Sequence, residues 1–452
     1  MQQPLAQQQQ KMLTSTESLQ RIQDLNRNRA AMQGINRNPL PPGQVTVHPN
    51  GQQTIAASGG RHINVRPNGT VERVSLRDGR TANFRPDGKV SSVQAGGMQI
   101  HYGLRGERHI MTQRPDKSVL VSTGVNRGYL QRPLVVHNRT YVQRTYVVSN
   151  VTYTRVYRTS YYGGVAYYHY VPVFYYRPVF YGWAYNPWPA PVYYTWGWAR
   201  DPWYVYYGSY FAPYPVYPTA SLWLTDFLLA ENLRLAYQAQ ASANLAAVQA
   251  QANTPVLPPA AGGNSYATQL TPEVKQAIAE EVRQQLAAQQ QAAAAPTPQQ
   301  PALSRSDVPS ALDPARRVFV VSSNLAERTV DGQECSLTPG DIITRLTDTP
   351  DANQFVTVSV LSSKPTDCPA GAQITVAVQD LQEMQNHFRE QIDSGLKMLA
   401  DNRGQGGLPV APDTRTQSGE VPPPTPDANI ANVLQDLQQQ ADQTEQEVQQ
   451  WG

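Results

Sequence analysis

The residues with the clearest chemical character in this sequence are aromatic, and they are concentrated in one stretch. Residues 141–217 hold 21 of the 25 tyrosines and five of the seven tryptophans. Such side chains can stack on sugar rings, hold arginines by cation–π attraction, or pack against each other. The candidate binding residues are Tyr181, Trp183, Trp188, Tyr193, Tyr194, Trp196, Trp198 and Trp203. The alternative is that these side chains fill an aromatic-rich core or lie along a surface as a covering arm.

A second candidate for chemistry is the pair Cys335 and Cys368. Two thiols alone make neither a zinc site nor a CxxC redox motif. A disulfide between them would restrict the unfolded chain and imply an oxidising compartment. The alternative is two unpaired thiols in a cytosolic protein.

Patterns that carry catalysis or bind metals are not found in the sequence. The seven histidines are scattered without paired-ligand spacing, and no serine lies in a GxSxG elbow. Gly-rich segments lack the lysine and the strand-to-helix setting of a phosphate loop. We therefore predict a non-enzymatic protein without cofactor or metal.

The elements that position these residues begin with short alternating runs between glycine turns. The turn phrase recurs as Pro49-Asn50-Gly51, Pro67-Asn68-Gly69 and Pro86-Asp87-Gly88, with a degenerate copy at Pro115-Asp116-Lys117. Asn-Gly and Asp-Gly supply the positive φ angles that two-residue hairpin turns require. Residues 44–139 are therefore predicted to form antiparallel β-hairpin repeats.

One repeat, Arg85-Pro86-Asp87-Gly88-Lys89-Val90, resembles the YD-type repeats of secreted bacterial shell proteins. The resemblance covers about 80 residues, and the tyrosines of that repeat family are absent. It implies only a β-hairpin architecture; a closed shell is not implied.

The Tyr/Trp/Pro-rich segment, residues 140–218, divides into two parts. Residues 140–157 are rich in β-branched and aromatic residues, which favour strands. Residues 171–218 contain many prolines, and each proline removes a donor from a sheet. We expect an extended, polyproline-like path or a series of aromatic-stapled turns there, and no continuous sheet.

The remaining segments alternate between helices and linkers around one small β domain. Thr271 followed by Pro272 signals a helix start. The phrase at 337–343 resembles the turn-into-strand of bacterial SH3-like modules, which implies a small barrel. The predicted segments are a polar helical or disordered arm at 1–43, helices and Ala/Gln/Pro linkers at 219–315, a β domain plus helix at 316–404, a Pro-rich linker at 405–427 and an amphipathic helix at 428–452. The predicted fold class is thus mixed and multi-segment, with hairpin repeats, an aromatic extended segment, helices, a C-terminal β-barrel-like domain and long disordered linkers.

Charge is distributed unevenly along the chain. Residues 1–218 carry 24 Lys and Arg against 8 Asp and Glu, whereas the remainder carries 13 against 26. Opposite balances predict contact between the halves, within one molecule or between copies. Two independent regions with differently charged surfaces are the alternative.

Taken whole, the chain resembles uncharacterised exported bacterial proteins with Tyr/Trp/Pro-rich middles and a cysteine-containing C-terminal β module. We predict an extracellular or periplasmic structural protein that adheres, or self-associates as an oligomer or filament, through its aromatic-rich segment. The first residues nevertheless lack the apolar core of a signal peptide. The alternative is a surface protein that binds polysaccharide or peptidoglycan of the cell wall. Spaced arginines without an RNA-binding phrase argue against nucleic acid, and no apolar run is long enough for a transmembrane segment.

Overall fold

The computed structural model describes residues 41–103, 107–124, 127–148, 151–250, 270–295, 308–330 and 332–449. Except for residues 41–43, the predicted N-terminal arm lies outside the described residues. The first strands are β1 Gly43–Val47, β2 Gln53–Ala57, β3 Arg61–Val65, β4 Val71–Ser75, β5 Thr81–Phe84, β6 Val90–Ala95, β7 Met98–Tyr102, β8 Arg108–Gln113, β9 Val119–Gly124, β10 Arg127–Val136, β11 Arg139–Val148, β12 Val151–Tyr162 and β13 Val165–Val171.

These strands form one 13-stranded antiparallel sheet in which each strand pairs with the next along the chain. The predicted hairpins are confirmed, and the sheet continues into the aromatic segment, as the β-branched composition of residues 140–157 favours.

Other elements of the described chain surround this sheet. The strands are β14 Phe174–Tyr176, β15 Pro187–Val192, β16 Tyr217–Thr219, β17 Val318–Val320, β18 Leu325–Arg328, β19 Glu334–Leu337, β20 Ile342–Arg345, β21 Phe355–Ser362, β22 Gln373–Ala377 and β23 Thr416–Ser418. The helices are α1 Pro178–Tyr185, α2 Pro202–Tyr207, α3 Ala220–Ala250, α4 Pro272–Ala294, α5 Val378–Asp401 and α6 Ile430–Gln449, with 3₁₀ turns at Ser58–Gly60 and Ser310–Leu312.

The repeated turn phrase forms three-residue turns, not the predicted two-residue turns. In the first hairpin the His48 N–H donates to the Gln52 carbonyl at 2.8 Å, and the Gly51 N–H donates to the His48 carbonyl at 2.9 Å. Gly51 has a φ of 79°, which glycine adopts without a Cβ clash. Gly51 is the extra residue of this turn and forms a bulge, which lets the turn match the twist of the flanking strands. Lys117 takes the glycine position of the degenerate copy, with a φ of 63°.

Helix α6 lies across one face of the sheet, which we call the inner face. Its apolar seam is buried and packs against inner-facing side chains such as Ile100 and Ile110. The seam consists of Ile430, Leu434, Leu437, Ala441 and Val448. The heptad spacing is compatible with a coiled coil, but this helix packs on the sheet of its own chain, because the inner face supplies an apolar surface.

Helix α5 lies on the opposite, outer face, where it packs on β13 and its Glu383 and Glu390 bond to Arg144 of β11 and Tyr157 of β12. It begins at Val378, immediately after β22, with Ala377 as a cap that has no side-chain bond. The Asp380–Glu383 spacing of a capping box predicts Asp380 as the N-cap, whereas the cap is Ala377, so the helix starts three residues earlier. The long strands are therefore covered on both faces.

The proline-rich part of the aromatic segment, residues 171–218, holds α1, α2 and short strand pairs. Both helices begin with a proline, Pro178 and Pro202, where the missing N–H removes no helical bond. The absence of a continuous sheet among these residues is as predicted. The predicted extended path holds for short strands such as β15 and is interrupted by α1 and α2, and the aromatic side chains gather into a core.

The cysteine-containing module has a four-stranded antiparallel sheet in the order β17-β20-β21-β22 and a separate β18-β19 hairpin. The predicted barrel is wrong, because neither sheet closes on itself. One face of the larger sheet is packed by the first turns of α5 around Leu381 and Met384. Because α5 covers this face, the sheet buries its apolar side without closing into a barrel.

The basic and acidic halves contact each other within one molecule. Arg108, for example, pairs with Asp442 at 2.7 Å, and Arg132 pairs with Asp427 at the same distance. Further pairs between the halves are Arg80–Glu447, Arg85–Glu334, Arg108–Glu445, Arg139–Glu420, Arg144–Glu383, Arg155–Glu390 and Arg158–Glu420. Of the interpretations that the sequence leaves open, these pairs favour contact within the molecule.

Candidate functional site

The eight aromatic residues predicted to bind a partner are mostly inside the protein. Tyr181, Trp188, Trp196 and Trp203 are buried, with 2–6% of their surface exposed. Trp183, Tyr194 and Trp198 are half-buried and pack against the same core. Tyr193 alone among the eight is widely exposed, at 76%. This placement agrees with the alternative that the sequence leaves open, in which these side chains fill an aromatic-rich core.

Trp196 shows how the cluster is held. Its ring stacks on Trp198 and on Trp223, with centroids 5.2 and 4.9 Å apart. Its Nε1–H donates to the Tyr217 hydroxyl at 2.8 Å, and that hydroxyl donates to Asp226 at 2.7 Å. An indole whose N–H is bonded inside a core has no polar group left for a sugar.

A buried ion pair joins α3 to α4 beside this cluster. Lys275 Nζ lies 2.6 Å from Asp226 and 3.7 Å from the ring centroid of Tyr214. Burial raises the pKa of Asp226 and lowers that of Lys275. Spacing cannot identify this pair, because its members come from different helices. Its contacts hold α4 on the core.

Cys335 and Cys368 form a disulfide, as predicted. Close to it, Lys364 Nζ lies 2.5 Å from Asp341 and 3.4 Å from Asp367, all three buried. Burial raises the pKa of Asp341, against the lowering effect of Lys364. These groups fix the loops around the disulfide.

A cluster of charges and tyrosines holds α5 on the sheet. Arg144 is 3% exposed and makes a two-pronged contact with Glu383 at 2.7 and 2.9 Å. Glu390 accepts a hydrogen bond from the Tyr157 hydroxyl. Burial raises the pKa of Glu390 to about 7, although nearby Arg155 acts in the opposite direction. The cluster sets the position of α5 against the strands.

Because α5 is held there, its side chains close the free edge of β13. In an antiparallel sheet, alternate residues of an edge strand direct their backbone groups outward. Asn386 Nδ2 donates to the Tyr168 carbonyl at 2.8 Å, and its Oδ1 accepts from the Tyr170 N–H at 3.0 Å. Gln379 Nε2 donates to the Ala166 carbonyl at 3.2 Å. This edge cannot pair with another strand unless the side chains leave.

At the opposite edge, β1, the described part of the chain leaves the outward-directed backbone groups uncovered. The His48–Gln52 hydrogen bond fixes the alternation, so Gly43, Val45 and Val47 direct their backbone groups away from β2. No described residue hydrogen-bonds to these groups from the free side. Val45 and Val47 are 52% and 67% exposed. The strand contains no charge and no proline, with which proteins commonly protect an edge.

A metal site has no candidate cluster in the described ranges. Groups of three or more His, Cys, Asp or Glu that could hold a metal do not occur among those residues. His169, the most buried histidine, bonds Ser160 Oγ at 2.9 Å across the β12–β13 pair.

The helices that the structure describes include none long and apolar enough to cross a membrane.

Comparison with known proteins gives no relative from which to transfer a role. No protein-family model, no curated protein and no solved structure matches this chain.

Proposed function

We propose that this chain is a non-enzymatic structural protein that self-associates edge to edge through β1. The observation that carries the proposal is the open edge at Val45 and Val47, on a sheet whose other edge is closed by Asn386 and Gln379. An edge with unpaired backbone groups is a template for another strand. The proposal keeps the predicted self-association and moves it from the aromatic segment to the sheet.

A second copy of β1 fits this edge in antiparallel orientation about a two-fold axis. With Val45 opposite Val45 of the copy, Gly43 faces Val47 and Val47 faces Gly43. The outward-directed residues then all lie in hydrogen-bonded pairs, which gives about six new backbone bonds. Such an interface is self-complementary and closes at a dimer.

The side chains of β1 favour the same partner. Val45 opposes the buried Ile55 on β2, so both exposed valines lie on the inner-face side. Pairing would place valines of the copy beside them and remove apolar surface from water. Because the strand is uncharged, no like charges are opposed across the pair. Pro42 and Pro49 bound the strand and limit pairing to this short register.

The proposed location is extracellular or periplasmic. Support comes from the Cys335–Cys368 disulfide, since cystines persist in oxidising compartments.

Sedimentation velocity tests the proposal over a concentration range of about 1 to 500 µM. We expect the wild-type chain to pass from monomer to dimer and the Val45→Lys/Val47→Lys variant to stay monomeric. The lysines place like charges across the pair while leaving the β1–β2 bonds intact.

The matched control is Tyr193→Ser/Val205→Lys, which alters two exposed residues of the aromatic segment, 76% and 75% exposed. This control should dimerise as the wild type does. A wild-type chain that stays monomeric throughout, or loss of association in the control alone, would contradict the proposal.

A further inference from the structure

A groove separate from the β1 edge has the composition of a saccharide site. It has a volume of about 580 Å³ and lies between β14, the end of α5 and the segment 403–416. This volume falls within the range common for small-molecule sites. None of the eight aromatic residues singled out from the sequence lines it.

The floor of the groove is aromatic. Phe174 and Tyr176 alternate along β14 and so point to the same face. Their ring centroids are 5.8 Å apart with perpendicular planes. Tyr176 is buried, whereas Phe174 is 37% exposed. A single exposed ring is common on protein surfaces, and this one differs because polar side chains from two other segments surround it.

The walls supply both donors and acceptors at close range. Lys397 and Asp401 lie one helical turn apart on α5 and pair at 2.6 Å, with 61% and 58% of their side chains exposed. Arg403 donates to the Thr414 hydroxyl from the other side. Ammonium, carboxylate, guanidinium and hydroxyl groups therefore lie around one apolar ring.

The parts of the groove are fixed to each other by backbone bonds. β14 pairs with β23, so that Phe174 opposes Ser418 and Tyr176 opposes Thr416. The Arg177 N–H donates to the Arg415 carbonyl at 3.2 Å, which extends this ladder. β14 and the adjoining residues 415–418 thus keep their spacing before any ligand arrives, which lowers the entropy cost of binding.

We infer that this groove binds one or two pyranose rings of a saccharide. A pyranose has an apolar C–H face for Phe174 and a rim of hydroxyls that both donate and accept, as the walls require. A phosphate or nucleic-acid backbone fits less well, because Asp401 pairs with Lys397 and leaves Arg403 as the one cation of the lining without a carboxylate partner among the described residues, whereas such sites line a groove with several unbalanced positive charges. The inference is independent of self-association through β1.

The test is titration of the full chain with cellotetraose, chitotetraose and tetragalacturonate, followed by calorimetry and ligand-observed NMR. At least one of the three should bind, and Phe174→Ala should weaken that binding by about tenfold or more. Asp401→Asn keeps the shape of the wall and should also weaken it. Because Asp401 is exposed, that variant should fold as the wild type does.

The matched control is Phe355→Ala on β21, where the phenylalanine is 39% exposed outside the groove. The affinity of this variant for the saccharide should equal that of the wild type. The inference is overturned if no saccharide binds, if both Phe174→Ala and Asp401→Asn bind like wild type, or if inorganic phosphate or an oligothymidylate binds while the saccharides do not.

Discussion

The two edges of the thirteen-stranded sheet are treated in opposite ways. At β13, Asn386 and Gln379 occupy the outward-directed groups of Ala166, Tyr168 and Tyr170. At β1, the described chain places nothing against the corresponding groups. A sheet can thus be ended by side chains of a packed helix without closing into a barrel. A sheet with one open edge can add one partner and then stops.

The closed edge depends on contacts far from it in sequence. The cysteine module leads directly from β22 into α5, and Arg144 and Glu390 then hold the helix on the strands. The open edge depends only on β1 and its hairpin. Changes in the module or under α5 should therefore alter one edge and spare the other.

The largest effect is expected from loss of the disulfide. Cys335→Ala/Cys368→Ala should lower the free energy of unfolding by about 4 kcal/mol, because the bridge closes a loop between cysteines that are 33 residues apart in sequence. Urea unfolding measures this loss, and reduced wild-type protein should show a similar one. Unchanged stability in both samples would mean that the module does not secure the start of α5.

Opening the closed edge should have the next largest effect. Asn386→Ala leaves the Tyr168 carbonyl and the Tyr170 N–H without their partner, at a cost of about 2–3 kcal/mol. With two open edges, association should extend beyond a dimer, as light scattering would detect. The control is Asn402→Ala, whose side chain bonds Met398 at the end of the same helix. Oligomers no larger than those of this control would argue against an edge cap at Asn386.

A smaller effect is expected from the pH dependence of α5 packing. Burial raises the pKa of Glu390 to about 7, above the value of about 4.3 in the unfolded chain. Its contribution to stability is therefore complete below about pH 4 and is lost as the pH rises through about 7. Glu390→Gln should remove this loss. From pH 5.5 to pH 8.5, the free energy of unfolding of the variant should therefore rise relative to that of the wild type by on the order of 1–2 kcal/mol.

Urea unfolding at the two pH values measures that difference. Glu280→Gln, at an exposed carboxylate paired with Arg283, is the control and should follow the wild type. A parallel pH dependence in Glu390→Gln would show that this carboxyl is not protonated in the folded protein.

The smallest effect on stability is expected at the open edge. Val47→Lys alters a side chain that is 67% exposed, so the unfolding free energy of the monomer should change by less than about 0.5 kcal/mol. Thermal unfolding of dilute protein checks this. A loss of several kcal/mol would mean that Val47 is buried in the monomer.

Local features could be predicted from the sequence where a few adjacent residues determine them. The Pro-Asn/Asp-Gly phrases gave the hairpins, and Thr271 caps α4 by accepting from Val274 as expected. The disulfide followed from two cysteines in one β segment. Each depends on contacts between near neighbours or on a single possible pair.

The features that sequence reasoning missed depend on long-range packing. A high density of aromatic residues does not distinguish a binding platform from a core. Trp196 is buried because Trp223 and Tyr217, which are distant from it in sequence, pack against it. The heptad of α6 does not reveal that its partner is the sheet. Asn386 could not be predicted as an edge cap, because only the fold brings it beside β13.

Hydrogen exchange of the β1 amides tests the central claim most directly. The Val45 and Val47 amides should exchange quickly in dilute protein and slowly at high concentration, whereas the Thr46 amide, directed at β2, should be protected at both. If Val45 and Val47 exchange at the same rate at every concentration while the protein associates, β1 is not the interface.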